Sequence, residues 1–156
     1  MRILIIEDNH SKLKRIRDFL EKNYQFISVH DAMSYTAGLR RLYDDQWDLV
    51  LLDMSLPIYD LNIQDSGGDK KSIAGKEIIK RMQHRKIITP TVIVTQFDTF
   101  GDNGITIESL NEEFEHDFSE IWRGTINYEK TSWMTNLKSI IDEIMGEKNV
   151  QNTGGR

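Results

Sequence analysis

The 156-residue sequence contains no cysteine and has no excess of positive charge. Without cysteine the chain has no disulfide framework, no thiolate metal site and no cysteine nucleophile. Lysine and arginine total 20 against 25 aspartate and glutamate residues, so the formal net charge is −5. That balance argues against a protein that binds nucleic acid through a general positive field. We therefore expect no direct nucleic-acid partner.

Long hydrophobic runs are also missing. The N-terminal segment is apolar only from Ile3 to Ile6 before it turns acidic, which is too short for the apolar region of a signal peptide. No stretch reaches the roughly 20 residues needed to cross a bilayer. The sequence therefore predicts a cytoplasmic protein with no membrane partner.

Short apolar runs alternate with amphipathic stretches along the chain. The runs Ile3–Ile6 and Leu49–Leu52 are continuous, which is typical of strands buried on both faces of a parallel sheet. Strict alternation of strands and helices predicts a parallel sheet with helices on both faces, and right-handed crossovers limit its topology. We expect a doubly wound α/β fold whose five parallel strands lie in the order 2-1-3-4-5. The predicted strands are 3–6, 26–29, 49–52, 91–95 and 124–128.

The predicted helices follow from apolar residues at helical spacing. In the first helix Leu13, Ile16 and Leu20 form the apolar stripe, and Lys12 is one of the basic residues between them. Asn9 or Ser11 is the expected N-cap of that helix. The remaining helices are predicted at 34–46, 76–85, 107–121 and 133–145.

Two polar segments stand apart from this pattern. Residues 58–74 form a loop longer than is usual between a strand and a helix. Residues 148–156 are polar, and we expect them to form a disordered tail. These boundaries indicate one domain over residues 1–147, with no separate output domain after it.

Three acids follow two predicted strands at the same edge of the sheet. Glu7 and Asp8 come after the first strand, and Asp53 comes after the third. In the order 2-1-3-4-5 these strands are neighbours, and ligands bind where the strand order reverses. Clustered carboxylates repel one another, and a hard cation resolves that conflict. Because Mg²⁺ prefers oxygen ligands, the pattern predicts a magnesium site.

Four stretches of the chain carry distinctive motifs: I-L-I-I-E-D-N at 3–9, D-L-V-L-L-D-M-S-L-P at 48–57, G-K-E-I-I at 75–79 and V-I-V-T at 92–95. In the second stretch Asp53 is followed by Pro57, and the acid pair lies upstream. With these motifs the chain resembles, over residues 1–146, receiver domains of the two-component family, of which Asp53 followed by Pro57 is a specific mark.

The resemblance implies a role for each matching residue. Asp53 accepts a phosphoryl group from a histidine kinase or a phosphotransfer protein. Mg²⁺ is bound by Glu7, Asp8, Asp53 and the backbone carbonyl of Ser55. The hydroxyl of Thr95 moves onto the phosphoryl group and rearranges the face formed by the fourth helix, fifth strand and fifth helix, which a downstream protein partner reads.

The sequence departs from the family pattern at two places near the site. Gln96 stands where a small residue usually follows the threonine. Family members also carry a lysine three residues after an aromatic residue. Alignment on Tyr128 places Thr131 at that lysine position and leaves Lys130 one residue away. A slip of one residue turns a side chain to the opposite face, so we expect Thr131 to face the site unless a bulge restores Lys130.

Other readings of the same residues are weaker. A phosphate-binding loop before Gly75 and Lys76 fails because Glu77 replaces the serine or threonine. A phosphohydrolase of the haloacid-dehalogenase type needs a second aspartate where Ser55 stands. The leading hypothesis is a stand-alone receiver that signals through a protein partner and is no enzyme beyond its own phosphorylation and dephosphorylation. The alternative is a pseudo-receiver, a protein-interaction module that works without phosphorylation.

Overall fold

A parallel sheet lies at the centre of the computed structural model, which describes residues 1–60, 70–71, 73–101 and 103–154. Within these residues the sheet has five strands in the order β2-β1-β3-β4-β5. The predicted order and fold class are confirmed. The strands are β1 (Arg2–Ile6), β2 (Ser28–Ala32), β3 (Leu49–Leu52), β4 (Thr91–Thr95) and β5 (Trp122–Asn127).

Helices cover both faces of the sheet, and side-chain caps fix where three of them begin, with Thr106 capping the fourth helix. The Asn9 side chain accepts a hydrogen bond from the Lys12 backbone N–H at 3.0 Å, and Ser34 caps the second helix in the same way. Such caps satisfy donors that have no partner within the helix. The helices are α1 (His10–Asn23), α2 (Tyr35–Asp44), α3 (Ala74–His84), α4 (Ile107–Asp117) and α5 (Trp133–Thr153).

The core forms two layers, because successive residues of a strand point to opposite faces of the sheet. Ile3 and Ile5 pack with α1 and α5, whereas Leu4 and Ile6 pack with α2, α3 and α4. Helices on both sides bury β1, β3 and β4 almost completely. This burial explains why their sequences are continuous apolar runs.

Helix α5 differs most from its prediction, since it runs to Thr153 through residues assigned to a disordered tail. Ion pairs bind this polar extension to the sheet. The Lys148 ammonium lies 2.7 Å from an oxygen of Asp48, and the Arg123 guanidinium donates to Glu147 at 2.8 Å. Because its partners are polar and distant in sequence, hydrophobic periodicity does not detect the extension.

The other differences are shifts of element boundaries. Strand β2 begins at Ser28 rather than residue 26, and β5 begins at Trp122 rather than Gly124. Helix α4 ends at Asp117, although Phe118 and Ile121 still pack into the same core. An apolar residue that follows a helix can therefore mimic the helical stripe.

Two short antiparallel ribbons extend the loops beyond β3 and β4. Leu56–Pro57 pairs with Lys70–Lys71, and Thr99–Phe100 pairs with Ile105–Thr106. Most of the loop predicted over 58–74, including residues 61–69 and 72, lies outside the described residues. Among the helices described, each is too short or too polar to span a membrane.

Candidate functional site

Three carboxylates converge where β1 and β3 end, at what we term the carboxyl edge of the sheet (Glu7, Asp8, Asp53 and Thr95). Glu7 and Asp8 follow β1, and Asp53 follows β3. One oxygen from each acid lies within 4.8 Å of the others. Glu7 is 2% exposed and Asp53 is 5% exposed, so two of the three are almost fully removed from water.

The backbone hydrogen bonds of the sheet continue past the strands and hold these acids in place. The Glu7 N–H donates to the Ala32 carbonyl at 2.9 Å, and the Asp53 N–H donates to the Ile6 carbonyl at 3.0 Å. The sheet register therefore sets the distance between the two side chains. No flexible loop separates either acid from its strand.

Glycine at position 75 allows α3 to pack directly beneath Asp53. The Gly75 N–H donates to the Met54 carbonyl at 3.0 Å. A β-carbon on Gly75 would lie 2.7 Å from the Asp53 carbonyl oxygen, which is inside van der Waals contact. The Met54 N–H in turn donates to Asp53 Oδ1 at 2.8 Å. The helix therefore packs against the backbone of Asp53 and Met54, and the Met54 N–H orients the Asp53 carboxylate.

A buried ammonium also contacts the acids, and it comes from Lys12 in the first turn of α1. Its Nζ lies 3.2 Å from Glu7 Oε1 and 3.4 Å from Asp53 Oδ1. The same Nζ donates a hydrogen bond to the Val94 carbonyl at 2.7 Å. Lys12 is 2% exposed, so helix α1 supplies an internal cation to the site.

Lys12 is not among the site residues predicted from the sequence, where it stands as a polar residue between the apolar positions of α1. A detectable signal was present in the spacing. Lys12, Ile16 and Leu20 are separated by four residues each, so they share one face of the helix. Ile16 and Leu20 are buried on that face. A lysine aligned with buried residues near three acids is a candidate for an internal ion pair.

The acids carry more negative charge than Lys12 neutralises. Burial, the charge of Asp53 and a hydrogen bond with Asp53 raise the pKa of Glu7 to about 9, and Lys12 only partly opposes this shift. Glu7 Oε2 is buried and has no hydrogen-bond partner among the described residues. An unsatisfied buried carboxylate oxygen is costly. The site therefore favours an additional cation.

The donor set fits Mg²⁺, which binds carboxylate, carbonyl and water oxygens. Glu7, Asp8 and Asp53 provide the carboxylates, and the orphaned Glu7 Oε2 faces no competing donor in the described part of the chain. Ser55 is 8% exposed and lies two residues after Asp53. The resemblance implies that its backbone carbonyl is a further ligand, which stays a prediction.

Thr95 ends β4 at the same edge of the sheet and is fully buried. Its hydroxyl oxygen accepts a hydrogen bond from the Phe97 N–H at 3.3 Å. Gln96 follows it at an intermediate exposure. The preceding residue of β4, Val94, accepts the hydrogen bond from Lys12 through its backbone carbonyl.

The residues after β5 are arranged differently from the aligned family pattern. The Tyr128 N–H donates to the Thr95 carbonyl at 2.8 Å, and the Tyr128 ring centre lies 5.6 Å from Lys12 Nζ. Lys130 and Thr131 are both exposed. The ammonium that contacts Asp53 in the described structure is that of Lys12.

Known proteins that resemble this chain in sequence are response regulators. The sequence profile of the response regulator receiver domain family matches residues 3–111. The chain is 32% identical over 150 residues to the Detocs response regulatory protein DtcB of Enterobacter cloacae (strain JD6301), covering 92% of this chain and 100% of that protein.

Solved receiver domains share the fold at low sequence identity. The Francisella response regulator 1452 receiver domain superposes with a TM-score of 0.65 at 14% identity, covering 94% of this chain and 98% of that chain. A CheY-like receiver domain from Methanospirillum hungatei JF-1 gives a TM-score of 0.60 at 19% identity, covering 94% and 97%. This chain belongs to the response regulator receiver domain family of two-component systems.

Proposed function

We propose that this receiver accepts a phosphoryl group on Asp53 with the help of Mg²⁺ and signals through a protein partner. The observation that carries the proposal is the convergence of Glu7, Asp8 and Asp53 oxygens within 4.8 Å. The ligands proposed for Mg²⁺ are these three carboxylates and the Ser55 carbonyl. The proposed phosphodonor is a histidine kinase or a phosphotransfer protein, and the proposed location is the cytoplasm.

The reaction follows from the placement of Asp53 at the end of a rigid strand. A carboxylate oxygen of Asp53 attacks phosphorus, and the new O–P bond forms as the P–N bond to the donor histidine breaks. The electron pair of that bond remains on the imidazole nitrogen. An ionised carboxylate needs no general base. Bound Mg²⁺ supplies positive charge that offsets repulsion between the carboxylate and the incoming phosphoryl oxygens.

Thr95 and Gln96 have opposite proposed effects on this reaction. The Thr95 hydroxyl, buried at the end of β4, donates to a phosphoryl oxygen after transfer. To reach that oxygen the Thr95 hydroxyl moves away from the Phe97 N–H, and the loop that follows β4 shifts with it. Gln96 narrows the space through which the phosphodonor reaches Asp53, because its side chain stands where the family usually has a small residue. Phosphorylation adds roughly 1.5 to 2 negative charges, which biases the surface that a partner reads.

Intact mass measurement after incubation with acetyl phosphate tests the proposal. The expected result is one added phosphoryl mass that requires Mg²⁺ and is absent from Asp53→Asn. Asp48→Asn is the matched control, because Asp48 precedes β3 at the opposite edge of the sheet, and it should be modified like wild type. Gln96→Ala should react faster.

The pseudo-receiver is the second candidate, and Gln96 and Lys130 favour it. Gln96 stands where the family usually has a small residue, and Lys130 is exposed on the segment after β5. A folded protein that binds Mg²⁺ but shows no mass shift in wild type or Gln96→Ala would contradict phosphoacceptor function. That result would favour an interaction module that works without phosphorylation.

A further inference from the structure

We propose that Lys12 binds the phosphoryl group on Asp53, so that the ammonium of the active site comes from α1 rather than from the segment after β5. This inference rests on the proposed phosphorylation of Asp53. It assigns to Lys12 a binding role that neither the alignment nor the resemblance identifies.

Distance and burial support the assignment. Lys12 Nζ lies 3.4 Å from Asp53 Oδ1, so a phosphoryl group joined to that carboxylate places its oxygens within reach of the same ammonium. Lys12 is 2% exposed, and water therefore screens the interaction weakly. Phosphorylation replaces a single negative charge by nearly two, which strengthens the attraction to Lys12.

The residues after β5 leave this role to Lys12. Lys130 is exposed, and its backbone N–H donates to Asn127 in the turn that follows the strand. The Tyr128 ring, which also follows β5, has its centre 5.6 Å from Lys12 Nζ. The Arg15 guanidinium donates to the Tyr128 hydroxyl at 3.1 Å, which holds the ring against α1.

Lys12 also occupies a position that is unfavourable without a charged partner. It lies in the first turn of α1, where the positive end of the helix dipole opposes a cation. A buried ammonium in that position needs the nearby carboxylates and the Val94 carbonyl to offset the cost of desolvation. An apolar side chain on the same stripe would fill the space without that cost, so we assign the charge to ligand binding.

The test compares Lys12→Met with Lys130→Met in two titrations. The first measures Mg²⁺ affinity by calorimetry. The second measures the affinity for beryllofluoride, which mimics a phosphoryl group on aspartate, in saturating Mg²⁺. Lys12 repels Mg²⁺ but attracts the anion, so Lys12→Met should bind Mg²⁺ about threefold to tenfold more tightly. The affinity of the same variant for beryllofluoride should fall by a factor of about ten or more. Lys130→Met should match wild type in both titrations.

The opposite signs separate ligand binding from a structural role, since general damage to the site would weaken both affinities. If wild type fails to bind beryllofluoride, the proposed phosphorylation itself is wrong. If wild type and Lys12→Met bind it equally, the assignment of Lys12 is overturned.

A measurement on the wild-type protein covers the case in which Lys12→Met does not fold. The buried Lys12 ammonium exchanges slowly with water and should give a ¹⁵N resonance that can be assigned through its side-chain carbons. Addition of beryllofluoride to the Mg²⁺-saturated protein should shift that resonance, whereas the Lys130 ammonium should not respond. An unchanged Lys12 resonance under conditions in which beryllofluoride binds would refute the proposal.

Discussion

The two edges of the central sheet use the same kinds of charged residue in opposite ways. At the carboxyl edge, Lys12 pairs with Glu7 and Asp53 in almost complete burial. At what we term the amino edge (Arg2, Asp48 and Lys148), Asp48 accepts from the Arg2 N–H and from the Lys148 ammonium, both at 2.7 Å. The side chains of Lys148 and Asp48 are 34% and 41% exposed.

The two edges differ in how exposed their carboxylates are and in whether every carboxylate oxygen has a hydrogen-bond partner. Burial raises the pKa of Glu7, and one of its oxygens has no partner among the described residues. Burial also favours a higher pKa for Asp48, but hydrogen bonds from Lys148 and Arg2 outweigh it and lower the pKa. The amino edge thus joins two parts of the chain, whereas the carboxyl edge retains an electrostatic cost that a bound cation can relieve.

The largest expected difference between the edges is in metal binding. Asp8→Asn removes a charge from the carboxyl edge and should weaken Mg²⁺ binding about 100-fold, or about 2.7 kcal/mol. Asp48→Asn makes the same chemical change at the amino edge and should leave Mg²⁺ binding unchanged. Calorimetric titration with MgCl₂ measures both variants, and equal affinity for Asp8→Asn and wild type would exclude the assigned site.

The second largest difference between the edges is expected in how the free energy of unfolding of the metal-free protein depends on pH. Glu7 has a folded pKa of about 9 against an ordinary value of 4.5, so between these values the folded protein holds a proton that the unfolded chain has released. The stabilising contribution is complete below pH 4.5 and is lost as pH rises through about 9. In EDTA, wild type should lose about 2 kcal/mol more than Glu7→Gln between pH 6 and 8.

Urea unfolding at several pH values within that range measures the slope. Asp48 contributes no comparable slope there, because its lowered pKa places its titration in acid. Parallel curves for wild type and Glu7→Gln would show that Glu7 is ionised in the metal-free protein.

A third prediction concerns the packing beneath the carboxyl edge. Gly75→Ala places a methyl group 2.7 Å from the Asp53 carbonyl oxygen and should reduce the free energy of unfolding by about 1–2 kcal/mol. Gly146→Ala is the matched control, because a β-carbon there meets no atom within 4 Å. Since Gly146 lies within α5, this variant should gain about 0.5–1 kcal/mol. A stable Gly75→Ala protein would mean that α3 can move away from Asp53.

The smallest effect is expected at the amino edge itself. Lys148→Met breaks a partly exposed ion pair and should reduce the free energy of unfolding by about 0.5 kcal/mol, with less effect at high salt. Urea unfolding at two salt concentrations measures the change. A loss above about 2 kcal/mol would show that the end of α5 contributes far more to stability than its exposure indicates.

The fold and the acidic residues could be predicted because both follow from local patterns. The continuous runs around Ile3–Ile6 and Leu49–Leu52 identify the central strands, and the acids come directly after them. Lys12 was missed because a hydrophobic pattern does not include charged residues on a buried stripe. The extension of α5 depends on the pair between Lys148 and Asp48, which are 100 residues apart. Contacts of that separation are set by the assembled fold, so local sequence cannot reveal them.

The hydrogen bond from Lys12 to the Val94 carbonyl joins residues that are 82 positions apart, and this separation affects the order of folding. Closing such a long loop carries a large entropic cost, which must be met by other contacts before the bond can form. A chain still being synthesised that ends before β4 already contains Glu7, Lys12 and Asp53. It lacks the strand that buries them, so water still solvates their charges. The carboxyl edge therefore acquires its buried arrangement only after about three-fifths of the chain has been made, when β4 joins β3.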